Sequence, residues 1–305
     1  MDKIIRIGTR ESQLALWQAD LVHSLLNKFG YKAELVHIKS EGDTDLQTPL
    51  YEIGVQGIFT KALDIALLKQ DIDIAVHSMK DVPTQLAKGI RSASVLQRAS
   101  YKDLLVPKDG TDFYDSKIPA TIATSSIRRK AQWLNRYPED KVENLRGNVN
   151  TRLRKVAEND WHGAIFAAAG LERIGLRPNN AVELDWMLPA PAQGAIMVVC
   201  REEDNFSFDA CRKFHDADTA LCTQVERDFL RALMGGCSTP ISALAEVKDG
   251  NVVFRGNILS TDGRNKKEIT KIVPVANAAS LGTDSAKELL ENGGQQILDS
   301  FRGGK

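Results

Sequence analysis

The feature of this sequence that most limits its fold is a repeated alternation of short apolar runs with amphipathic segments. Some short runs are continuously apolar, and in the run at 72–76 apolar side chains recur every second residue. In the longer segments, such as residues 12–29 and 58–69, they recur at helical spacing. Strands that alternate with helices favour parallel sheets, so the chain is predicted to be an α/β protein. The strands predicted in this part of the chain are residues 4–8, 33–38, 72–76, 104–106, 121–123, 142–145 and 164–168.

One strand end concentrates polar chemistry. The apolar run at 72–76 is followed by His77, Lys80 and Asp81 before Pro83. Proline fixes its own φ and favours an extended residue before it, so the backbone that carries Lys80 and Asp81 should be well defined. Ligands of open α/β sheets bind beyond the carboxyl ends of strands. We interpret Lys80 and Asp81 as site residues, the alternative being a solvated strand exit with a chance ion pair.

Cations and hydroxyl groups cluster at several turns between a strand and a helix. Arg10 and Ser12 follow the first strand at the predicted start of a helix. The first amides of a helix lack partners within it and can bind an anion. The alternative is that Arg10 only forms a salt bridge with a neighbouring side chain. The later turns contribute Thr124, Ser125, Ser126, Arg128, Arg129, Lys130, Arg146, Arg152 and Arg173. Such a set predicts a site for a polycarboxylate or a phosphate.

The last third of the chain has a different pattern. The proline-rich residues 188–194 predict a stiff, extended link that crosses back between two lobes into a strand at 195–201. The elements predicted after it are a helix at 219–234, strands at 241–247, 252–259 and 269–275, and a helix at 284–301. Asp-Gly pairs between these strands predict hairpins, and therefore a small α+β domain with a three-stranded antiparallel sheet.

The four cysteines are widely spaced and include no C-x-x-C pair, so they predict neither a metal site nor a redox motif. Cys200, Cys211 and Cys222 lie in apolar patterns and are predicted to be small core residues. Cys237 follows two glycines outside any periodic pattern. This position predicts an accessible thiol that can act as a nucleophile or a covalent tether, the alternative being an incidental loop cysteine.

Charge and hydropathy exclude several classes of protein. The 305 residues include 40 basic and 40 acidic side chains, so the net charge predicts no nucleic-acid partner. The N-terminus lacks the apolar core of a signal peptide, and the apolar runs are too short to span a bilayer. The chain is therefore predicted to be cytoplasmic and to have no membrane partner.

Five motifs occur in one order along almost the whole chain. They are Ala-Val-His-Ser-Met-Lys-Asp-Val-Pro at 75–83, Thr-Ser-Ser-Ile-Arg-Arg at 124–129, Arg-Gly-Asn-Val-Asn-Thr-Arg at 146–152, Leu-Pro-Ala-Pro-Ala-Gln-Gly-Ala at 188–195 and Gly-Gly-Cys at 235–237. Gly-Gly-Cys alone would be a weak signal. Together, the motifs resemble the hydroxymethylbilane synthase family, also called porphobilinogen deaminase.

The resemblance implies two periplasmic-binding-protein-like α/β lobes with mainly parallel sheets, followed by the C-terminal α+β domain. The first lobe would comprise residues 1–97 and 195–214, the second residues 98–194, and the C-terminal domain residues 215–305. It also implies a monomeric enzyme of tetrapyrrole biosynthesis. That enzyme joins four porphobilinogen units head to tail, releases ammonia and hydrolyses off linear hydroxymethylbilane, using a dipyrromethane cofactor that Cys237 holds by a thioether.

The resemblance also implies a role for each matching residue, with Asp81 as the catalytic carboxylate at the pyrrole nitrogens. The cofactor-binding residues would be Cys237, Lys80, Asp81, Ser12, Thr124, Ser125, Ser126, Arg128, Arg129, Arg146 and Asn148. The substrate-binding residues would be Arg10, Arg146, Arg152, Arg173 and Gln193, and no metal is implied. The chemistry agrees, because each pyrrole carries two carboxylates and guanidinium groups pair bidentately with carboxylates.

Some positions depart from the family pattern. Gln56 stands where many bacterial members carry lysine, within a loop at 42–57 that has no periodicity and is predicted to act as a lid. Ala192 and Met197 each replace a glycine, and Ser-Thr replaces Gln-Val after the cysteine. None of these changes removes a catalytic group. The competing interpretation is a non-catalytic two-lobed binder of a small polycarboxylate, which would have no use for Cys237 or a third domain.

Overall fold

A computed structural model describes residues 3–39, 60–110, 118–233 and 239–301. The contacts between Cα atoms divide these residues into two compact units. Unit 1 comprises residues 3–39, 60–99 and 193–220, and unit 2 comprises residues 100–110, 118–192, 221–233 and 239–301. The predicted lid at 42–57, with Gln56, and the predicted tether Cys237 lie outside the described residues.

The described strands are β1 Ile5–Thr9, β2 Ala33–His37, β3 Ile74–Ser78, β4 Ile90–Val95, β5 Asp103–Pro107, β6 Thr121–Ala123, β7 Lys141–Glu143, β8 Gly163–Ala167, β9 Val182–Glu183, β10 Ile196–Arg201, β11 Ile241–Lys248, β12 Asn251–Leu259 and β13 Lys266–Pro274. The described α-helices are α1 Gln13–Lys28, α2 Lys61–Leu68, α3 Ile127–Arg136, α4 Val149–Glu158, α5 Ala168–Glu172, α6 Asn205–Arg212, α7 Ala217–Ala232, α8 Leu281–Leu289 and α9 Gln295–Ser300. None of these helices is long and apolar enough to cross a membrane.

The sheet of unit 1 has the strand order β2-β1-β3-β10-β4. β1 pairs in parallel with both β2 and β3, whereas β10 runs antiparallel to both β3 and β4. The side chains of Ile5, Ile7 and Ile74 are fully buried, and Val22 of α1 belongs to the same hydrophobic cluster. The alternating apolar residues of β1 therefore form the core, as the period-two pattern predicts.

The first sheet of unit 2 repeats this arrangement with the order β7-β6-β8-β5-β9. β6 pairs in parallel with β7 and β8, and β5 runs antiparallel to both β8 and β9. In each α/β sheet, therefore, four strands point one way and one is reversed. The reversed strands β5 and β10 are the first strands after the chain passes from one unit to the other. The predicted α/β class with mainly parallel sheets is confirmed.

The three-stranded antiparallel sheet predicted near the C-terminus is also confirmed, with the order β11-β12-β13. Asp249 and Gly250 join β11 to β12 with φ values of 49° and 75°, as a type I′ hairpin turn requires. Phe229 of α7 packs edge-on against Phe254 of β12, with ring centroids 5.1 Å apart. The prediction of one continuous helix at 284–301 is wrong, because Gly293 has a φ of 95° and separates α8 from α9.

The proline-rich segment at 188–194 is a second correction. The sequence predicts an extended link, but the chain makes a turn at 191–194 in which Ala192 is fully buried. Ala192 has a φ of 62°, in the left-handed region that favours glycine, the residue the resemblance places there. Its amide donates a hydrogen bond to Oε2 of the buried Glu226 at 2.6 Å. Prolines stiffen a chain but do not prevent a turn when a buried carboxylate binds the free amide.

Within unit 2, helix α3 packs closely against the hairpin between β12 and β13. Nδ2 of Asn135 donates a hydrogen bond to the carbonyl of Gly263 at 2.7 Å. Gly263 has a φ of 74°, and a Cβ atom there would lie 2.5 Å from both the carbonyl oxygen of Ala131 and the amide nitrogen of Asn135. Only glycine therefore allows the hairpin to approach the helix this closely.

We expect Gly263→Ala to lower the free energy of unfolding by about 2–3 kcal/mol, because the new methyl group overlaps backbone atoms of α3. Gly250→Ala is a matched control: its φ of 75° is almost the same, but no atom lies within 4 Å of the added Cβ. That control should lose only about 1 kcal/mol, from backbone strain alone. Urea denaturation of both variants measures the difference, and equal losses would contradict the close packing of hairpin and helix.

Candidate active site

The carboxyl edge of the unit 1 sheet gathers the predicted site residues of that unit. β1 and β3 run in parallel with Gly8 opposite Ala75, so both strands end at the same edge. Arg10 follows β1 there, and Ser12 begins α1 by accepting a hydrogen bond from the amide of Ala15 at 3.4 Å. Parallel pairing thus brings Arg10 and Ser12 to the edge from which the residues after β3 also emerge.

His77 is a buried imidazole at this edge, with 6% of its surface exposed. Burial, together with the smaller effect of the positive charge of Arg10, lowers the pKa of His77 to about 4. The imidazole is therefore neutral at neutral pH. His77 does not compete with Arg10 for an anion, and Arg10 remains a cation of this edge.

Lys80 and Asp81 lie in a 3₁₀ turn, Met79–Asp81, that directly follows β3. The amide of Met79 donates to the carbonyl of Ala195 at 3.0 Å, and the amide of Val82 donates to the carbonyl of Met79 at 3.1 Å. These bonds fix the backbone, as the sequence predicts. Because Lys80 and Asp81 are only partly buried, the fixed turn leaves their charged groups accessible to a ligand.

Two buried glutamines belong to the same edge. Gln193, predicted to bind substrate, is 1% exposed. Its main-chain carbonyl accepts a hydrogen bond from Nε of Arg98 at 2.8 Å. Gln18, which was not predicted from the sequence, donates from Nε2 to Oγ of Ser78 at 2.9 Å. A polar residue on the apolar stripe of α1 was the available signal for Gln18. Its bond holds the end of β3, immediately before Lys80 and Asp81.

In unit 2, the predicted hydroxyl groups lie together at the start of α3. Oγ of Ser126 accepts a hydrogen bond from the amide of Arg129 at 3.4 Å, and Oγ1 of Thr124 accepts one from the amide of Ser126 at 3.2 Å. A cavity of about 30 Å³ adjoins this helix start; its lining residues are Thr124, Ser125, Ser126, Ile127, Lys130, Val142, Glu143 and Asn144. The hydroxyls and amides of this helix start can donate to an anion.

Arg128 and Arg129 are both buried, and both pair with Asp103, the first residue of β5, which has no exposed surface. Nη2 of Arg128 lies 2.7 Å from Oδ2 of Asp103, and Nη2 of Arg129 lies 2.7 Å from Oδ1. Arg129 also donates from Nε to Asp103 and from Nη1 to the carbonyl of Ile165, each at 3.0 Å. Every guanidinium nitrogen of Arg129 therefore has a protein acceptor.

Arg128 differs from Arg129 in this respect. Its Nη1 donates to the carbonyl of Leu188 at 2.6 Å, but its buried Nε donates to no acceptor in the described part of the chain. Burial lowers the pKa of Arg128, while the charge of Asp103 acts in the opposite direction. Two guanidinium groups share one carboxylate, so the cluster has one positive charge in excess. It can therefore bind one further anionic oxygen.

The turn after β7 places further predicted residues at this carboxyl edge of unit 2. Arg146 is 5% exposed. Asn148 begins α4 by accepting a hydrogen bond from the amide of Thr151 at 3.0 Å, so part of its polar capacity serves the helix. Nε of Arg152 donates to the carbonyl of Gly147 at 2.7 Å. This bond holds Arg152 against the turn.

Arg173 occupies a different helical position from the one predicted. The sequence places it at the start of a helix, but α5 begins at Ala168 and ends at Glu172, so Arg173 is its C-terminal cap. The predicted strand at 164–168 included Ala168, which is the first residue of α5. Burial lowers the pKa of Arg173 to about 10, which leaves it protonated at neutral pH. It is therefore still a cation near the carboxyl end of β8.

Asp103, like Gln18, is an important residue that was not predicted from the sequence. It precedes an apolar strand and shows no local sign of its role, because its partners lie 25 and 26 positions away. Only the antiparallel pairing of β5 with β8, with Asp103 opposite Ala167, brings this carboxylate to the edge where α3 begins. The only available signal was the pair of adjacent arginines, Arg128 and Arg129, because buried cations require a counter-charge.

We expect Asp103→Asn to lower the free energy of unfolding by about 3–5 kcal/mol, because two buried guanidinium groups lose their only carboxylate in this cluster. Asp185→Asn is the matched control, since it removes an ion pair with Lys102 at 2.5 Å whose carboxylate is 74% exposed. The control should cost at most about 1 kcal/mol. Denaturant unfolding measures both, and a mild Asp103→Asn variant would contradict the role given to the buried carboxylate.

The carboxyl edges of the two α/β sheets are rich in cations and hydroxyl groups. They indicate the class of protein that binds a small polyanion. Comparison with known sequences is more specific. The profile described as "Porphobilinogen deaminase, dipyromethane cofactor binding domain" matches residues 5–208, and that described as "Porphobilinogen deaminase, C-terminal domain" matches residues 220–291. The chain belongs to the porphobilinogen deaminase family.

Similar curated proteins extend over nearly the whole chain. The porphobilinogen deaminase of Syntrophotalea carbinolica is 42% identical over 298 residues, which cover 96% of this chain and 95% of that protein. The chloroplastic porphobilinogen deaminase of Oryza sativa subsp. japonica is 41% identical over 311 residues, covering 98% and 87% respectively. A solved structure of the Bordetella pertussis BvgS VFT2 domain matches 69% of this chain and 85% of that one, with 13% identity and a TM-score of 0.41.

The cofactor of the family is dipyrromethane, whose two pyrrole rings carry carboxylate groups. The described residues of unit 2 fit such a group. Among them, the buried Nε of Arg128 has no acceptor, two guanidinium groups share the Asp103 carboxylate, and the hydroxyls of Thr124 and Ser126 lie at the start of the same helix. A carboxylate would supply the acceptor and the negative charge that this cluster lacks.

Proposed function

We propose that this chain catalyses the hydroxymethylbilane synthase reaction, in which four porphobilinogen molecules are joined head to tail and released as linear hydroxymethylbilane. The observation that carries this proposal is the family match at both ends of the chain, together with the excess positive charge at Arg128. A non-catalytic polycarboxylate binder is not favoured, because the match includes the C-terminal domain and curated relatives named as deaminases.

Each addition breaks one C–N bond and forms one C–C bond. The aminomethyl group of one porphobilinogen loses ammonia, and its methylene carbon bonds to the free α-carbon of another pyrrole. The proton that this α-carbon loses leaves with the ammonia. Dipyrromethane, when bound, supplies the first acceptor pyrrole. The protein must therefore stabilise a transient positive charge on the substrate and remove a proton.

Asp81 is the residue we assign to both tasks. Its carboxylate lies in a turn whose backbone is fixed by the bonds of Met79, and it is accessible to a ligand. A preorganised carboxylate stabilises developing positive charge without rearranging, and it can accept a proton from the reacting ring. Lys80 precedes Asp81 and supplies a cation for the carboxylates of the cofactor.

The remaining cations and hydroxyls recognise acetate and propionate groups. For the cofactor, we propose Ser12, Lys80, Asp81, Thr124, Ser125, Ser126, Arg128, Arg129, Arg146 and Asn148, with Cys237 as the covalent attachment. For the substrate, we propose Arg10, Arg146, Arg152, Arg173 and Gln193. The internal bonds of Arg129 to Asp103 and Ile165 support a role in holding Arg128, in addition to any contact with the ligand.

Several wider features are part of the proposal. We propose three domains, comprising residues 1–97 with 195–214, residues 98–194 and residues 215–305. The separate sheets and hydrophobic clusters support this division. We further propose that the enzyme is a cytoplasmic monomer with no nucleic-acid or membrane partner. Its zero net charge supports the absence of a nucleic-acid partner.

The test is to incubate the purified protein with porphobilinogen and to follow both ammonia and linear tetrapyrrole by mass spectrometry. We expect four ammonia molecules for each hydroxymethylbilane that is released. Binding of porphobilinogen without either product would instead support the two-lobed binder and overturn the proposal.

A further inference from the structure

Gln132 of α3 makes an unusual set of buried hydrogen bonds. Its Oε1 accepts from the amide of Leu188 at 2.9 Å, and its Nε2 donates to the carbonyl of the same residue at 3.0 Å. Nε2 also donates to Oγ of Ser242 at 3.1 Å. Gln132 is 5% exposed and Ser242 has no exposed surface. Since an amide nitrogen has two hydrogens, both donors of Gln132 are used.

The carbonyl of Leu188 is shared with the arginine that has an unused donor. It accepts from Nη1 of Arg128 at 2.6 Å as well as from Nε2 of Gln132. Gln132 follows Arg128 by four positions on α3, so the two side chains lie on the same face of the helix. Any shift of Gln132 against Leu188 would therefore also shift the acceptor that orients Arg128.

The third partner, Ser242, links this network to the C-terminal sheet. It is the second residue of β11, where it lies opposite Asn257 of β12. In the sequence, Ser242 follows Cys237 by five positions. One glutamine side chain thus bonds both to the peptide that orients Arg128 and to the strand that comes next after the cysteine.

We infer that Gln132 is a positioning residue that holds Arg128 and strand β11 in a fixed relation. This inference rests on the proposed function, in which Arg128 binds a cofactor carboxylate and Cys237 carries the thioether. The cofactor would be held at two points, by its carboxylate and by its thioether. Attachment is fast when the groups that form these two contacts are already oriented, because the entropy cost of orienting them is avoided. Gln132 contributes by holding both the Leu188 carbonyl, which orients Arg128, and Oγ of Ser242 in β11.

The experiment measures how fast the cofactor is attached, which is separate from the activity of the loaded enzyme. Full-length protein from cells that make no porphobilinogen is mixed with porphobilinogen, and its intact mass is followed with time. We expect Gln132→Met to reach the wild-type final mass roughly tenfold more slowly, and Ser242→Ala roughly threefold more slowly, as expected when buried hydrogen bonds are lost. Ser242→Ala is the milder variant if Gln132→Met folds poorly.

The double variant separates positioning from simple destabilisation. If Ser242 acts through Gln132, the double variant should load no more slowly than Gln132→Met alone, whereas independent effects multiply. Ile297→Val is the stability control: it removes one methyl group from the C-terminal hydrophobic cluster, which also contains Ile241 and Phe254, and it should load at the wild-type rate. Multiplying effects, or a Ser242→Ala rate equal to wild type, would overturn the inference alone. No mass gain by the wild-type chain would overturn the proposed function and this inference together.

Discussion

Asp81→Asn is expected to lower kcat by roughly a thousandfold, the order of effect seen when a preorganised electrostatic group is lost from an active site. The side chain keeps its size, and the backbone bonds of the Met79–Asp81 turn do not involve it, so the fold should survive. The amide, however, can neither balance the positive charge on the reacting methylene nor accept a proton. Single-turnover measurements with porphobilinogen test this directly.

A matched change elsewhere in unit 1 is Asp71→Asn, at an exposed carboxylate just after α2. This control should retain near-normal turnover and show that losing one negative charge from the unit is not itself harmful. Asp81→Asn should also still carry the cofactor mass, because attachment uses the thiol. Near-normal product formation by Asp81→Asn would remove Asp81 from the catalytic role.

Cys237→Ala is expected to abolish activity and to leave the protein at the mass of its bare chain. The wild-type protein should be heavier by two linked pyrrole units, since the thiolate is the nucleophile that can form a stable thioether with a methylene carbon. Intact-mass spectrometry of both proteins, before and after incubation with porphobilinogen, provides the measurement.

The other cysteines supply the controls for this experiment. Cys200 and Cys211 have no exposed surface, and Cys222 is 5% exposed. Burial raises the pKa of the Cys200 thiol and, more strongly, that of Cys211, so neither forms a thiolate at neutral pH. Each Cys→Ala change at these sites should keep the added mass and cost about 1 kcal/mol of stability. An added mass that survives in Cys237→Ala but disappears in one of them would move the attachment site.

The sequence allowed the sheets and the site edges to be predicted because both follow from local patterns. The period-two run of β3 and the polar residues after it define a strand end without any knowledge of its neighbours. Ion pairs and hydrogen bonds between distant elements leave no such pattern, so the roles of Asp103 and Gln132 became visible only once β5, α3 and β11 were placed. The buried turn at Ala192 was missed for a related reason: its stabilising partner, Glu226, lies 34 positions away.

The single helix predicted at 284–301 failed for a different reason. Its apolar spacing continues across the break, where Asn292 leaves the helical backbone geometry and Gly293 has a positive φ. Glycine is compatible with both a helix and a left-handed turn, so its identity alone does not decide between them. Packing of α8 and α9 into the C-terminal hydrophobic cluster decides it instead.

The reversed strand in each α/β sheet has a consequence for how the chain is made. β10 lies between β3 and β4, and among the described strands β4 pairs with β10 alone. A ribosome must therefore complete about two thirds of the polypeptide before the first sheet can close, although its other strands emerge within the first 95 residues. Until then, β3 presents an unpaired edge, the kind of surface that promotes association between unfinished chains. The strand that leads into the Asp81 turn therefore keeps one unpaired edge until β10 has been made.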